Sequence, residues 1–258
     1  MNIHVAANAA VNDEGPAPLN PPREIGAADS RNDNVPQMED ATFIDRRRRA
    51  LIAHAPDASI VKRMFDAVGA AALIIFFSPL MVATYIAVRL DGGPGVYVHE
   101  RVGKNGVRFQ CYKFRSMVPN AERVLNDILI CNEDQRREWE ADHKLRNDPR
   151  ITPIGRFLRA KSLDELPQLF NVLKGDMSLV GPRPITSEEI IRYGRQISYY
   201  YKSRPGLTGA WQVSGRSHVS YEERVSLDVD YVRKWSFFTD VQILLKTVRV
   251  VLTGHGAH

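Results

Sequence analysis

The chain has 258 residues, of which 44% are hydrophobic and 25% charged, enough apolar content for one good-sized domain and too much for a wholly disordered chain. Its formal net charge of +5 favours anionic partners such as phosphorylated small molecules, acidic lipid or nucleic acid. The two cysteines, Cys111 and Cys131, do not have CxxC spacing, which argues against a zinc site and against a disulfide scaffold.

Residues 1–58 have the composition of a disordered tail. They are rich in proline, Asn, Asp and Ala, and Phe43 is their one aromatic residue. Such a segment cannot bury enough apolar surface to offset the entropy of the chain. A basic run at residues 46–49 predicts either contact with anionic lipid or a solvated charged segment.

Residues 67–88 form an uncharged, apolar run that predicts insertion into a membrane. The run is about as long as the roughly 20 residues that a bilayer-spanning helix needs. Ser78 and Pro79 lie near its middle, where a proline kinks a helix and frees a backbone carbonyl. Basic residues flank both ends, so the positive-inside rule selects no single orientation. These features favour a re-entrant helical hairpin with both ends cytoplasmic over a straight span.

Two short strands are predicted after a turn-forming segment at residues 91–95. Residues 96–98 and 107–114 alternate between apolar and polar side chains. Lys113 and Arg115 lie on one face at the end of the second strand and predict a diphosphate contact. Basic residues also protect exposed strand edges from aggregation, which is the alternative interpretation. The following residues 121–145 indicate one polar, solvent-facing helix.

Two adjacent carboxylates, Asp164 and Glu165, follow a basic cluster. Ser162 and Glu165 have the spacing of a capping box, which predicts that a helix begins here. Pro167 favours a later start, at Leu166 or at Pro167 itself. In either case the acids lie at or just before a helix N-terminus, which favours ionised carboxylates and bound anions. One acid could attack while the other holds a metal ion, or the pair could be a charged first turn without chemistry.

Residues 239–252 form an amphipathic segment with one apolar stripe. Together with Trp235, Phe237 and Phe238, this stripe predicts a helix that lies at a membrane surface. Packing of the stripe on the domain's own core is the alternative.

Several motifs, in the order in which they occur along the chain, resemble those of the bacterial sugar transferases, also called monotopic phosphoglycosyl transferases. The resemblance covers about residues 60–253 and is closest in form to the short ExoY type, which initiates exopolysaccharide synthesis. The motifs that carry it are Lys62-Arg63-Met64-Phe65-Asp66, Pro79, Lys113-Phe114-Arg115-Ser116-Met117, Ser162-Leu163-Asp164-Glu165-Leu166-Pro167-Gln168, Gly181-Pro182-Arg183-Pro184, the run at residues 204–213 and Trp235-Ser236.

The resemblance implies a reaction. Enzymes of this family transfer a sugar-1-phosphate from a UDP-sugar to a membrane polyprenyl phosphate and release UMP. The resemblance makes Asp164 the nucleophile of a covalent phosphoryl-aspartate intermediate. It makes Glu165 the ligand of a Mg²⁺ ion that bridges carboxylate and diphosphate oxygens. With undecaprenyl phosphate as the acceptor, the product would begin an exopolysaccharide repeat unit, and galactose or glucose is the favoured sugar.

The resemblance also implies how the substrate is held. The cations that match the family's phosphate-binding positions are Lys113, Arg115 and Arg183. The residues expected to line the nucleotide or sugar side are Arg204, Gln212 and Arg216. Asp228 lies on a helix that faces the site in relatives, and a salt bridge is an equal alternative for it.

The predicted architecture is an α-rich α/β fold with a membrane-embedded, re-entrant helical hairpin, interfacial helices and a small β element at the active site. We expect a disordered tail at residues 1–58, the hairpin at 59–90, and a catalytic domain at 91–253 on the cytoplasmic face of a bacterial inner membrane. The expected partners are a UDP-sugar, undecaprenyl phosphate and inner-membrane lipid, and homo-oligomer formation is left open.

Two other classes of protein remain as alternatives. The first is a membrane-anchored binding or regulatory protein with a degenerate active site. The second is a membrane-tethered nucleic-acid binder, which would need a cationic surface free of acids. Because the basic residues here are interleaved with acids, we expect no nucleic-acid partner.

Overall fold

The structure, a computed structural model, describes residues 56, 59–90, 92–142, 145–215 and 219–253. The tail predicted for residues 1–58 therefore lies almost entirely outside the described residues, and so does the predicted site residue Arg216. Within the described part of the chain, helices surround two small sheets, as expected for an α-rich α/β fold.

The elements follow the chain in this order. Helix α1 (Ile60–Leu90) precedes β1 (Val96–Val102), β2 (Arg108–Phe114), α2 (Ala121–Cys131), α3 (Glu133–Asp142) and α4 (Pro153–Ala160). A 3-10 turn (Leu163–Glu165) then leads to α5 (Gln168–Lys174), β3 (Ser178–Val180), α6 (Ile190–Tyr193), α7 (Ile197–Tyr200), β4 (Gly206–Thr208), α8 (Tyr221–Arg233) and α9 (Phe237–Thr253).

The two predicted strands are confirmed as an antiparallel hairpin. Val96 of β1 lies opposite Phe114 of β2, and the pairing continues to Val102 opposite Arg108. The turn between the strands contains Asn105 at φ 56°, a left-handed conformation that Asn tolerates better than most residues. A second, separate sheet is formed by β3 and β4, which pair in parallel.

The single polar helix predicted for residues 121–145 is wrong, because the structure has two helices there. Asn132 adopts an extended conformation after α2. Its side-chain oxygen then accepts a hydrogen bond from the backbone N–H of Gln135 at 3.0 Å, in the first turn of α3. Asn favours such local side-chain bonds over a helix interior, so this residue ends one helix and begins the next.

In place of the predicted re-entrant helical hairpin, the structure has one helix, α1, with Pro79 inside it. A proline removes one backbone donor and leaves the carbonyl four residues earlier, here that of Ile75, without its helical partner. The Ser78 hydroxyl donates to this Ile75 carbonyl oxygen at 2.8 Å. The neighbouring serine therefore satisfies the group that the proline frees, and the helix continues through Pro79 without an intervening turn.

One face of α1 packs on the rest of the protein near both of its ends. Its buried residues are Lys62, Asp66 and Ala70 near the start and Met81, Thr84 and Val88 near the end. Met81 and Val88 share an apolar cluster with Phe114 of β2 and Leu158 of α4. The part of the chain that follows α1 therefore covers both the beginning and the end of this helix.

Buried charges fix the start of α1, and we call Lys62, Asp66, Tyr231 and Asp240 the Lys62 cluster. Lys62 Nζ lies 2.7 Å from Asp240 Oδ2 and 3.8 Å from Asp66 Oδ2, with all three side chains at most 4% exposed. The Tyr231 hydroxyl lies 2.7 Å from Asp240 Oδ1. The cluster joins the first turns of α1 and α9 to the end of α8.

Helix α9 confirms the helix predicted for residues 239–252. Asp240 and Ile243 are buried on the face that meets the core, whereas Leu245 and Val248 of the predicted stripe are 68% and 58% exposed. Leu244 of the same stripe packs against the core, so the stripe is divided between a core contact and an exposed face.

Candidate active site

The acid pair lies on a 3-10 turn directly before α5. Ser162 has φ 55° and its side chain makes no capping hydrogen bond, so the predicted capping box is wrong. An N-cap needs an extended backbone, which a left-handed Ser162 cannot provide. Pro167 is instead the residue that precedes the first turn of α5, close to the later start that its own ring favours.

Asp164 and Glu165 have different surroundings although they are neighbours. Asp164 is buried, with 8% of its surface exposed, while the Glu165 side chain is 38% exposed and accepts a 2.6 Å bond from Lys113 Nζ. Burial, and next the charge of Glu165, raise the pKa of Asp164 above its ordinary range, and Lys113 and Arg159 oppose this rise. Burial and the charge of Glu165 therefore outweigh the helix N-terminus, which was expected to keep this carboxyl ionised.

Asn171 sets the position of Lys113 relative to the acid pair. It is fully buried on α5. Its side-chain oxygen accepts from the backbone N–H of Tyr112 at 3.0 Å, and its Nδ2 donates to the carbonyl of Gln110 at 2.7 Å. These two bonds fix α5 along the free edge of β2. Sequence reasoning missed this residue, because an Asn inside a short helix carries no signal of a partner about 60 residues away.

Arg183 is a half-buried cation that faces the same site. Its loop is held by the backbone bond from Val102 N–H to the carbonyl of Ile185. Its guanidinium lies 5.4 Å from the centre of the Trp211 ring. Within the described residues, this guanidinium makes no hydrogen bond or ion pair, although the charge of Glu165 acts on it. Arg183 is thus a cation without a fixed anionic partner in this part of the chain.

Two further arginines, not singled out from the sequence, lie beside Arg183. Glu189 lies 3.4 Å from Arg101 Nη1 and 3.5 Å from Arg224 Nη2. The Arg224 guanidinium lies 5.1 Å from the Trp211 ring centre. One Glu between two arginines leaves the region cationic. The alternation along β1 places Arg101 on one face, but only the register with β2 shows that Lys113 lies on the same face.

Arg115 and Arg204, predicted to contact phosphate and nucleotide, both donate to backbone carbonyls. Arg115 is 5% exposed, and its guanidinium donates to the backbone carbonyls of Val88, Gly92, Pro94 and Met117. Arg204 Nε donates to the carbonyl of Gly175 at 2.6 Å, at the end of α5 opposite the acid pair. Both guanidiniums thus bind backbone oxygens of the chain itself, and their contacts with phosphate or nucleotide stay predictions.

Gln212 and Asp228 lie near Trp211 and Arg183. Gln212 Oε1 and Trp211 Nε1 are buried without a hydrogen-bond partner in the described chain. Asp228 accepts a 2.8 Å bond from the Tyr193 hydroxyl. Burial raises the pKa of Asp228 to about 7, although this bond and the charges of the neighbouring arginines lower it. Within the described residues Asp228 bonds to Tyr193 and forms no salt bridge, which was the alternative role for it.

The described residues of this site supply only some of the ligands that a Mg²⁺ ion needs. Among the described residues, no group of three or more His, Cys, Asp or Glu side chains could hold a metal ion. Mg²⁺ is commonly held by one or two carboxylates together with substrate phosphates. Glu165, with the neighbouring carboxyl of Asp164, fits a magnesium ion that arrives with a diphosphate and not a site built from protein alone.

Comparison with known proteins identifies related sequences. A sequence model of the family described as bacterial sugar transferase matches residues 57–254. The undecaprenyl-phosphate galactose phosphotransferase of Salmonella typhimurium is 55% identical over 198 residues, which cover 77% of this chain and 42% of that protein. The exopolysaccharide production protein ExoY of Rhizobium meliloti is 45% identical over 204 residues, which cover 79% of this chain and 90% of ExoY.

A third relative extends the set. The UDP-glucose:undecaprenyl-phosphate glucose-1-phosphate transferase of Caulobacter vibrioides is 40% identical over 206 residues, covering 76% of this chain and 72% of that protein. The chain thus spans about two fifths of the length of the Salmonella relative and most of the length of the other two.

Proposed function

The chain belongs to the bacterial sugar transferase family, as the resemblance predicted, and we propose that it transfers a hexose-1-phosphate from a UDP-sugar to undecaprenyl phosphate. The observation that carries the proposal is a buried carboxyl, Asp164, on which the charges of Lys113 and Arg159 act, beside Glu165, whose charge reaches Arg183. A carboxylate surrounded by cations can approach an anionic diphosphate that would otherwise repel it.

The first step forms a covalent bond between Asp164 and the substrate. A carboxylate oxygen attacks the phosphorus that bears the sugar, and the bond from this phosphorus to the bridging diphosphate oxygen breaks. UMP leaves with that oxygen and its electron pair, so the sugar-phosphate remains on Asp164. Lys113 and Arg183 would stabilise the charge that develops on the phosphate oxygens.

The second step regenerates the carboxylate. A phosphate oxygen of undecaprenyl phosphate attacks the same phosphorus, the bond to Asp164 breaks, and undecaprenyl diphosphate-sugar is released. A general base at this position would accomplish little, because the lipid phosphate is already ionised near neutral pH. A nucleophile also allows the soluble and lipid substrates to use one small site in turn, which predicts ping-pong kinetics.

Glu165 would hold the expected Mg²⁺ against the diphosphate. Bound there, the ion would neutralise phosphate charge and orient the leaving group. Lys113 now contacts Glu165 at 2.6 Å, so the same lysine can move to the phosphates when the carboxylate takes up a metal ion.

The same protein would bind a membrane through α1 and α9. Helix α1 is the one described helix long and apolar enough to cross a membrane, and only 17% of its most apolar 18-residue stretch is buried. Phe65 of α1 contacts Phe237 of α9 with ring centres 5.1 Å apart, which brings the exposed apolar faces of the two helices side by side. Because one domain covers both ends of α1, we infer that both ends lie on the same face of the membrane, and we keep the predicted cytoplasmic face of the inner membrane as that side.

Release of UMP tests the proposed function. The purified protein would be assayed with undecaprenyl phosphate, Mg²⁺ and a panel of UDP-sugars, including the galactose and glucose forms that the relatives' names contain. Without the lipid, we expect one equivalent of UMP and a sugar-phosphate adduct on Asp164. Asp164→Asn should abolish both.

Two results would contradict this mechanism. Substantial turnover by Asp164→Asn, or kinetics that require both substrates bound together, would exclude a covalent intermediate on Asp164. Binding of UDP-sugars without UMP release from any of them would favour the alternative of a membrane-anchored binding protein.

A further inference from the structure

The Lys62 cluster is attached to a backbone carbonyl as well as to its own charges. Lys62 Nζ donates to the carbonyl oxygen of Val180 at 3.1 Å, and the Tyr231 hydroxyl lies 3.0 Å from the same oxygen. Asp66 accepts from the backbone N–H of Leu179 at 3.1 Å and from the Ser178 hydroxyl at 2.7 Å. Every residue of β3 is therefore bound by a side chain of this cluster.

Strand β3 leads directly into the loop that carries Arg183. Gly181 follows Val180, and its backbone N–H donates to the carbonyl of Thr208 at 2.9 Å. A Cβ at Gly181 would lie 2.5 Å from the carbonyl oxygen of Arg204, so the chain has little room to shift at this point. The position of Val180 is thus transmitted to Arg183 through two residues, the closely packed Gly181 and the conformationally restricted Pro182.

Stability alone is a weak explanation for such a cluster. Burying an ammonium and two carboxylates carries a large desolvation cost, and apolar replacements of buried ion pairs are often neutral or stabilising. What the charges add is direction, since Asp240 accepts from both Lys62 and the Tyr231 hydroxyl, and Lys62 keeps a second N–H for the Val180 carbonyl.

We propose that Lys62 is a positioning residue for the transferase reaction, a proposal that rests on the proposed function. Through the carbonyl of Val180, Lys62 holds the Gly181–Pro184 loop so that the Arg183 guanidinium meets the substrate diphosphate. Because Lys62 lies in the first turn of α1, the helix that would enter the membrane also sets the geometry of the phosphate site.

A double-mutant cycle between Lys62 and Arg183 tests the proposal, with UDP as the probe. The dissociation constant of UDP would be measured by calorimetry on folded, full-length protein, for wild type, Lys62→Met, Arg183→Ala and the double variant. We expect Lys62→Met to weaken UDP binding about five- to tenfold in the presence of Arg183 and less than about twofold in its absence. Single-turnover UMP release, normalised to the burst amplitude, should show the same loss of additivity.

Two further variants make the outcome decisive. Tyr231→Phe removes the hydroxyl that contacts both Asp240 and the Val180 carbonyl while keeping the ring, and should show the same dependence on Arg183 if Lys62→Met fails to fold. Lys234→Met removes an exposed lysine that pairs with Asp230, and should leave UDP binding unchanged.

The possible failures are distinguishable. Unchanged UDP affinity in folded Lys62→Met and Tyr231→Phe, or equal effects with and without Arg183, would reduce the cluster to a stabilising role and overturn the inference. Absence of UDP binding by the wild type would instead overturn the proposed function.

Discussion

Removal of the Asn171 side chain should strongly destabilise the protein. In Asn171→Ala, the backbone N–H of Tyr112 and the carbonyl of Gln110 lose their bonds of 3.0 and 2.7 Å at a fully buried position. Leaving a buried polar group without a partner costs about 1–3 kcal/mol. Because Gln110 is exposed and Tyr112 half-buried, each group is taken at about 1 kcal/mol, so the expected loss is about 2 kcal/mol.

The loss can be read as a change in melting temperature. For a domain of this size, 1 kcal/mol corresponds to about 2–4 °C, so Asn171→Ala should lower Tm by about 4–8 °C. The measurement is differential scanning fluorimetry on purified protein in one detergent. Single-turnover UMP release at a temperature where the variant is folded should also slow, because α5 no longer fixes β2 and Lys113 beside Glu165.

Asn132→Ala is the matched control. It is the same substitution at an exposed helix cap, where the side chain accepts one bond from Gln135. Loss of such a cap costs about 1 kcal/mol, or about 2–4 °C. Equal shifts in Tm for the two variants would refute the assignment of a structural role to the buried bonds of Asn171.

Three other predictions concern pH, the metal ion and topology. Burial raises the pKa of Asp228 to about 7, so the stabilisation of its protonated form is complete below the ordinary pKa of Asp and is lost as pH rises through about 7. The Asp228→Asn variant has no carboxyl to ionise and cannot lose this stabilisation. Its Tm relative to wild type should therefore rise between about pH 5 and pH 8. If Tm depends on pH in the same way for both proteins, the raised pKa of Asp228 is excluded. Glu165→Gln should keep the fold and lose most UMP release. In the wild type, a chelator should abolish UMP release, and added Mg²⁺ or Mn²⁺ should restore it. Full activity in excess chelator would remove the metal ion from the mechanism. A cysteine added near residue 50 should resist a membrane-impermeant reagent applied from the periplasm, and labelling there would exclude a cytoplasmic start for α1.

The three cations predicted to bind phosphate show what the sequence could not predict. Lys113, Arg115 and Arg183 are three cations of equal interest in the sequence, and the structure separates them. Arg115 binds four backbone carbonyls, Lys113 binds Glu165, and Arg183 makes no ion pair within the described residues. A motif specifies that a charge is present, but the groups around that charge decide whether it can bind a ligand.

The sequence by itself determined the features that depend on residue type and short spacing. The apolar run of α1, the alternation of β1 and β2, the amphipathic stripe of α9 and the motifs of the family are all local patterns. They predicted the α-rich fold, the acid pair, the family and the importance of Ser78 and Pro79 in the middle of the apolar helix. Local patterns also gave the wrong answer where two local preferences competed, as at Ser162 and Asn132.

Only the tertiary structure decided which of these groups meet. Asp164 and Glu165 are neighbours in the chain, yet one is buried and the other pairs with Lys113, 52 residues away. Lys62 meets Asp240 across 178 residues. Contacts at such separations depend on how helices and strands pack, and desolvation together with nearby charges then sets the protonation and the binding capacity of each group. No pattern along the chain contains that information.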